Sequence, residues 1–328
     1  MKDSSYRVLP IQGVASLDGC FAEDVLQGLS QTKKSLPPQW FYDERGSQLF
    51  QQITEMDEYY LTRCEAQILE RFGPEIVGLV KGRFRLVELG AGDGHKTKIL
   101  LKNFLEIGTP FEFVPVDICE ESVASLTQSL ASELPQLSTR GLVAEYFEAL
   151  RWLSRQDDVP TLVLFLGSNI GNFNDDGDKR FLSLLHAALK PQDLALVGFD
   201  LLKDQSILIP AYDDAAGVTT EFNLNLLDRI NRELGADFDR SAFRHEARFN
   251  ISKSRMESWL ISLRHQTVKV PGVGRSFSFQ KGEGIHVECS AKYTVERIRD
   301  ISQQAGFGLE LMLTDDNRWF CDAVLRRC

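Results

Sequence analysis

From residue 84 the chain alternates short apolar runs with segments of helical period. Residues 84–89, 111–117, 141–146, 161–166 and 194–201 are the apolar runs. Residues 96–105, 120–130 and 178–189 carry apolar positions three and four apart, the spacing of one helix face. The run TLVLFL at 161–166 has no polar position after its first residue, as expected of a strand covered on both faces. Strand–helix alternation of this kind predicts a parallel sheet clothed in helices. Upstream, Ala66, Ile68, Leu69, Phe72, Ile76, Val77 and Val80 predict an amphipathic helix over 62–80, broken near Pro74. Residues 1–60 read as mixed and irregular, with a break at Pro37–Pro38.

The rhythm changes after Asp200. Residues 212–236 read as one long helix, and 243–290 alternate polar and apolar positions like antiparallel strands. A helix over 294–304 and strands near 309–313 and 320–325 close the chain. A second, partly β region is therefore expected as an insertion late in the sheet, recruiting the N-terminal residues.

Composition narrows the chemistry. The net charge of −10 over 328 residues disfavours nucleic acid and anionic lipid as primary partners. No apolar run approaches the ~20 residues of a membrane span, and the opening MKDSSYRVLP has no continuous apolar stretch that would mark a secretory signal. The six cysteines are scattered without a CxxC, and the five histidines show no HExxH-like spacing, so neither a metal site nor a disulfide framework is expected. A cytoplasmic monomer acting on a small molecule is the expectation.

The loop after the first strand reads VELGAGDG, residues 87–94. Glycines there allow a sharp turn and close backbone approach to a ligand. The loop ends in Asp93-Gly94, not in the GK[ST] of a phosphate cradle. Asp117 ends the second strand, where an acid can accept both hydroxyls of a ribose. NAD would call for GxGxxG. GAGDG instead resembles the first motif of S-adenosylmethionine (SAM) methyltransferases, whose ligand has a sulfonium and no pyrophosphate.

Six segments, in order, carry a more specific resemblance: WFYDERGSQLF (40–50), EYYLTR (58–63), GAGDGHKTK (90–98), FLGSNIGNF (165–173), AYDDAAGV (211–218) and GEGIHVECSAKY (282–293). Together they resemble the histidine-specific SAM-dependent methyltransferases of ergothioneine biosynthesis, which trimethylate the α-amine of L-histidine to hercynine. The resemblance implies an α/β fold, a Rossmann-like SAM methyltransferase sheet with a second, smaller α+β substrate-binding domain. It places the boundaries at 65–201 plus 293–328 for the first and 1–64 plus 202–292 for the second. It implies SAM as methyl donor and S-adenosylhomocysteine as product.

Residue by residue, the resemblance implies Gly90, Gly92, Lys96, Asp117, Glu145 and Tyr146 as cofactor-binding; the family shows Asp-Phe where this chain has Glu145-Tyr146. It implies Asn172 and Tyr212 at the carboxylate and amine end of the amino acid, with Tyr59, Glu288 and Ser290 facing the imidazole. Gly167 would let the strand end approach the reacting nitrogen. Tyr42 and Tyr59 are candidates to relay the amine's proton. Two positions depart from the family: Asn169 stands for a threonine, and Ser258 for a methionine lining the substrate pocket.

Each residue also has an ordinary structural reading. Asp117 and Asn172 can cap a helix or turn. Tyr59 and Tyr212 can be packing tyrosines. Glu288 shares an alternating run with His286 and Ser290, the solvent face of an edge strand. Related enzymes act on tryptophan or its derivatives, so another aromatic amino acid is the first alternative substrate. A NAD-dependent oxidoreductase and a catalytically silent SAM-binding protein are the alternatives of other classes.

Overall fold

The computed structural model describes residues 6–8, 17–173 and 175–328, with side chains from residue 21 onward. The chain divides into two compact units. One holds Leu61–Leu202 and Tyr293–Cys328 together with the first strand; the other holds the described residues 17–60 and Lys203–Lys292.

The first unit is built on one sheet. Its first seven strands are β1 (Tyr6–Val8), β2 (Phe84–Leu89), β3 (Phe111–Asp117), β4 (Ser138–Thr139), β5 (Gly141–Val143), β6 (Thr161–Phe165) and β7 (Leu194–Asp200). In the second unit follow β8 (Phe243–Asn250), β9 (Arg255–Ser262), β10 (Gln266–Val270), β11 (Arg275–Phe279) and β12 (Gly284–Ala291). The chain then returns to the first sheet as β13 (Phe307–Thr314) and β14 (Phe320–Arg327). The order across this sheet is β1-β5-β3-β2-β6-β7-β14-β13, with β4 beside β3. The strands from β1 to β7 run parallel, and β14 and β13 are antiparallel additions at one edge.

Every residue of β2 and β7 is buried, which explains why both read as near-continuous apolar runs. The helices Thr97–Ile107, Glu120–Glu133, Tyr146–Ser154 and Gly177–Ala188 connect or follow successive strands. The strand order reverses direction beside β2, so the loops after β2, β3 and β6 open onto the crevice where such sheets bind ligands.

The second unit is α+β. Its three-stranded antiparallel sheet has the order β12-β9-β8, and β10 and β11 form a hairpin. Its core gathers Phe41, Leu49 and Ile53 with Phe222, Leu226, Ile230, Leu260 and Ile285. Residues before 60, expected to be irregular, form helices at Leu17–Ser30 and Glu44–Thr54. Asp43 starts the latter: its Oδ1 accepts the Gly46 N–H at 2.7 Å, an N-cap. Asn225 Nδ2 donates to the same oxygen at 2.8 Å, tying this helix to Val218–Leu234.

Two boundaries differ from expectation. Residues 6–8, assigned from sequence to the substrate-binding domain with the rest of 1–64, pair with β5 in the first unit; a three-residue edge strand is too short to show its partner in its pattern. The long helix expected from 212 begins at Val218. Gly217 adopts a left-handed conformation (φ 77°), and the Asp214 carboxylate accepts the N–H groups of Val218 and Thr219 at 2.9 and 2.7 Å. Tyr212 is thereby left in the preceding turn. No helix among the described residues is long and apolar enough to cross a membrane.

Candidate active site

In the first unit the sequence candidates gather at the C-terminal ends of β2, β3 and β5. Gly90, Gly92 and Gly94 all have positive φ, at 73°, 52° and 67°, so the loop after β2 needs glycine. The Gly90 N–H donates to Val116 O at 2.9 Å, holding the loop against β3. A Cβ on Gly90 would stand 2.7 Å from Tyr146 Oη. Burial raises the pKa of the Asp117 carboxyl against hydrogen bonds from the backbone N–H groups of Cys119, Gly92 and Ile118. Burial also raises the Tyr146 phenol, helped by the charges of Asp117 and Glu145. Gly90, Gly92, Asp117, Glu145 and Tyr146 therefore form one cluster.

Ordinary structural roles coexist with that cluster. Glu145 Oε2 accepts the N–H groups of Phe147 and Glu148 at 2.9 and 3.1 Å, capping the helix Tyr146–Ser154. Asp117 Oδ1 accepts the Cys119 N–H at 2.9 Å, just before helix Glu120–Glu133. Glu88, one residue before the end of β2, is buried and accepts a hydrogen bond from the Thr97 hydroxyl. Its other oxygen, Oε2, has no hydrogen-bond partner among the described residues, and burial pushes its pKa up to about 8.

These residues fit a nucleoside. The glycine backbone permits close approach, and an acid stands at the end of the neighbouring strand for ribose hydroxyls.

Lys96, assigned by resemblance to the cofactor, forms an ion pair with Glu65. Glu65 is fully buried, and its two oxygens accept the Gly167 N–H at 2.8 and 3.0 Å. A Cβ on Gly167 would lie 3.2 Å from Lys96 Nζ. Gly167, assigned to the substrate, and Lys96 thus meet around one carboxylate. Asp322 on β14 is also fully buried. Burial and the negative charge of Glu65 push its pKa well up, against the opposing charge of Lys96. Gly198 on β7, opposite Asp322, leaves room for this pair, since a Cβ there would stand 2.5 Å from Glu65 Oε1.

After β6, Gly167 and Ser168 both adopt positive φ, 77° and 57°. The Asp200 N–H donates to Ser168 Oγ at 2.9 Å, which pins this turn to β7. Asn172 ends the following 3-10 turn, half-buried.

In the second unit a bulge rearranges β12. His286 pairs with Trp259, but Glu288 pairs with Ser258, and the register shifts between them. Paired residues share a face and neighbours on β9 alternate, so Glu288 and Ser290 lie on the face opposite His286. This corrects the expectation that all three share one solvent face; a bulge re-aims side chains without altering the sequence period. Ser258 is buried, and its hydroxyl donates to Glu288 Oε2 at 3.4 Å. Burial drives the Glu288 pKa up to about 7, against the opposing pull of Lys292 and Ser258.

The Tyr212 hydroxyl donates to Ser290 Oγ at 2.9 Å. Lys292 Nζ donates to Tyr212 Oη at 2.8 Å and to Ser290 Oγ at 2.9 Å. Tyr42 and Tyr59 both set an edge against Phe50, with ring centroids 5.5 and 6.2 Å away. The structure therefore joins Tyr212, Ser290, Glu288 and Ser258 in one group, and Tyr42 with Tyr59 around Phe50.

Three residues escaped the sequence reading: Lys292, Glu65 and Asp322. Each left a signal. Lys292 continues the two-residue spacing of Glu288 and Ser290. Asp322 interrupts the apolar run of its strand, and Glu65 lies beside the apolar positions of its helix.

A parallel sheet closed by an antiparallel pair, with a glycine loop after β2 and an acid ending β3, is the Rossmann-like architecture of a SAM-dependent methyltransferase. More narrowly, the chain belongs to the family of histidine-specific, SAM-dependent methyltransferases, which it matches over residues 21–327. It is 40% identical to a histidine N-alpha-methyltransferase of Mycolicibacterium smegmatis, over 91% of this chain and 90% of that protein. It is 39% identical to a protein of the same name in Mycobacterium tuberculosis, over 88% of this chain and 93% of the other. Ergothioneine biosynthesis protein 1 of Neurospora crassa is 27% identical over 85% of this chain, which spans 33% of that longer protein. The chain is thus a SAM-dependent N-methyltransferase of free amino acids.

Proposed function

We propose that the amino acid is L-histidine, methylated on its α-amine up to trimethylhistidine (hercynine), the first step of ergothioneine biosynthesis. The observation that carries this reading is the polar group on the bulged strand. Glu288 is a half-buried carboxylate beside the Ser258 hydroxyl and on the same face as Ser290. A neutral imidazole offers one N–H and one acceptor nitrogen, and a carboxylate with a hydroxyl answers both. An indole has no acceptor nitrogen and would leave a hydroxyl unanswered. The names and identities of the mycobacterial relatives support the same substrate. The acidic net charge supports a small-molecule substrate over nucleic acid, and we read the enzyme as a cytoplasmic monomer.

In this reading Gly90, Gly92, Lys96, Asp117, Glu145 and Tyr146 hold SAM. SAM supplies a methyl group on a cationic sulfur, whose departure leaves a neutral thioether. No acid is then needed for the leaving group. The work of the chain is to orient a neutral amine in line with that methyl and to keep water away. Tyr59, Glu288 and Ser290 hold the ring, and Asn172 and Tyr212 hold the carboxylate and amine end. Gly167, lacking a Cβ, admits the reacting nitrogen. Free histidine arrives as an ammonium, so one proton leaves the nitrogen for each methyl added. Tyr42 and Tyr59 are the groups we assign to pass it to water.

The test is incubation with SAM and an equimolar mixture of the twenty amino acids, followed by mass spectrometry. Gains of one to three methyl groups on histidine alone are expected. Gains on tryptophan or another aromatic amino acid instead would replace the substrate. SAM binding with no methylated product would make the chain a silent binding protein.

A further inference from the structure

Lys292 has no part in the roles above, yet it touches two of the residues that do. Its side chain is 4% exposed. Its own N–H donates to Ser254 O at 2.7 Å, fixing the backbone just past β12. An ammonium is costly to take out of water, and lysine is almost never fully buried without a purpose. A chain seeking only stability would place a methionine there.

Hydrogen-bond arithmetic gives that purpose. A hydroxyl has two acceptor sites and one hydrogen, and an ammonium has only donors. Ser290 Oγ accepts from Lys292 at 2.9 Å and from Tyr212 at 2.9 Å. Both of its acceptor sites are then taken, and toward any further group Ser290 can only donate. Tyr212 Oη likewise accepts from Lys292, at 2.8 Å. A hydroxyl that accepts from a cation also gives its own hydrogen more strongly. Two residues before Ser290, and on the same face, Glu288 offers a carboxylate. The face therefore presents one acceptor and one donor in a fixed sense.

We propose that Lys292 is a positioning residue that locks the direction of the Ser290 hydroxyl, so that the site accepts a ring with one N–H and one acceptor nitrogen. The inference rests on histidine as substrate and adds what enforces the choice. Without the ammonium, Ser290 turns freely between donor and acceptor. The ring is then held less tightly, and a ring with no acceptor nitrogen is no longer penalised as strongly.

The test compares Lys292→Met, Ser290→Ala and the double variant with the wild type. The substrates are L-histidine and 3-(2-thienyl)-L-alanine, whose five-membered ring has neither N–H nor acceptor nitrogen. For Lys292→Met the KM for histidine should rise ~30-fold with kcat changed far less, the loss of one charge-supported hydrogen bond. The preference for histidine over the thienyl analogue should narrow by about the same factor. Adding Lys292→Met to Ser290→Ala should narrow the ring preference little further, because the lysine acts on the ring through the serine. Calorimetric SAM affinity should not move. Should Lys292→Met fail to fold, Lys292→Arg and Lys292→Gln serve instead: the arginine, still charged, should retain more of the preference than the neutral amide. An unchanged histidine KM, or losses of ring preference that multiply independently in the double variant, would overturn the role of Lys292. A wild type inactive on histidine would remove the substrate reading and this inference with it. A wild type active on histidine whose ring preference ignores residue 292 would remove the inference alone.

Discussion

Glu288 and Ser258 face each other across β12 and β9, one residue past a bulge that sets them apart from His286 and Trp259. The pairing places a carboxylate in surroundings that push its pKa up to about 7. As the acceptor for an imidazole N–H, Glu288 must be ionised. As pH falls through that value it takes up a proton, and kcat/KM for histidine should fall with an acid limb centred near 7. Glu288→Gln should move that limb down to the titration of the substrate's own imidazole, ~6.5, and raise the histidine KM by ~100-fold, while SAM affinity stays the same. A pH profile of kcat/KM for the two proteins, beside calorimetry with SAM, checks both statements. An unchanged KM would remove Glu288 from substrate binding.

A second acid, this one buried, bears on stability. Glu88 has a folded-state pKa near 8, raised by burial from an ordinary value of 4.5. Below the unfolded value both states hold the proton, and the contribution of this group to folding is fully present. As pH climbs from there through 8, the unfolded chain releases the proton freely and the folded chain cannot, so the contribution is lost. Glu88→Gln keeps an acceptor for the Thr97 hydroxyl and never ionises. Its melting temperature relative to the wild type should rise between pH 5 and pH 8.5 by on the order of 5 °C. Thermal unfolding of both proteins across that range measures it, and parallel curves would mean that Glu88 titrates normally.

What the sequence revealed depended on where each residue's partners lie. β2, β3, β6 and β7 were legible because strands buried on both faces read as apolar runs, and the glycine loop announced itself by composition. The helices Leu17–Ser30 and Glu44–Thr54 were not, although Leu49 and Ile53 have helical spacing. The first is held by packing Phe21, Val25 and Leu29 into a core drawn from distant segments, and the second depends on the Asp43 cap and on Asn225, 182 residues away. The bulge in β12 was invisible for a different reason. Polar and apolar positions keep alternating through it, so His286, Glu288 and Ser290 looked like one face. The cofactor candidates Gly90, Asp117 and Tyr146 come from three separate motifs and lie together in the structure, while the tie from Lys96 through Glu65 to Gly167 runs between distant segments that no local pattern connects.

Gly90 and Tyr146 give the most direct probe of the cofactor cluster. Two effects act on Gly90→Ala: the strain of φ 73°, and a Cβ placed 2.7 Å from Tyr146 Oη, well inside contact. The next nearest atom of that ring is 3.6 Å away, an ordinary contact. Tyr146→Phe removes the oxygen and leaves the ring. Gly90→Ala alone should therefore weaken SAM binding by ~30-fold or more, the strain and the clash each contributing on the order of 1 kcal/mol. Gly90→Ala with Tyr146→Phe should recover the steric part and keep the backbone part, binding more tightly than Gly90→Ala alone and less tightly than Tyr146→Phe alone. Calorimetric titration of the four proteins with SAM separates the two effects. Independent losses, with no recovery in the double variant, would show that the Tyr146 hydroxyl does not press on Gly90 when SAM binds.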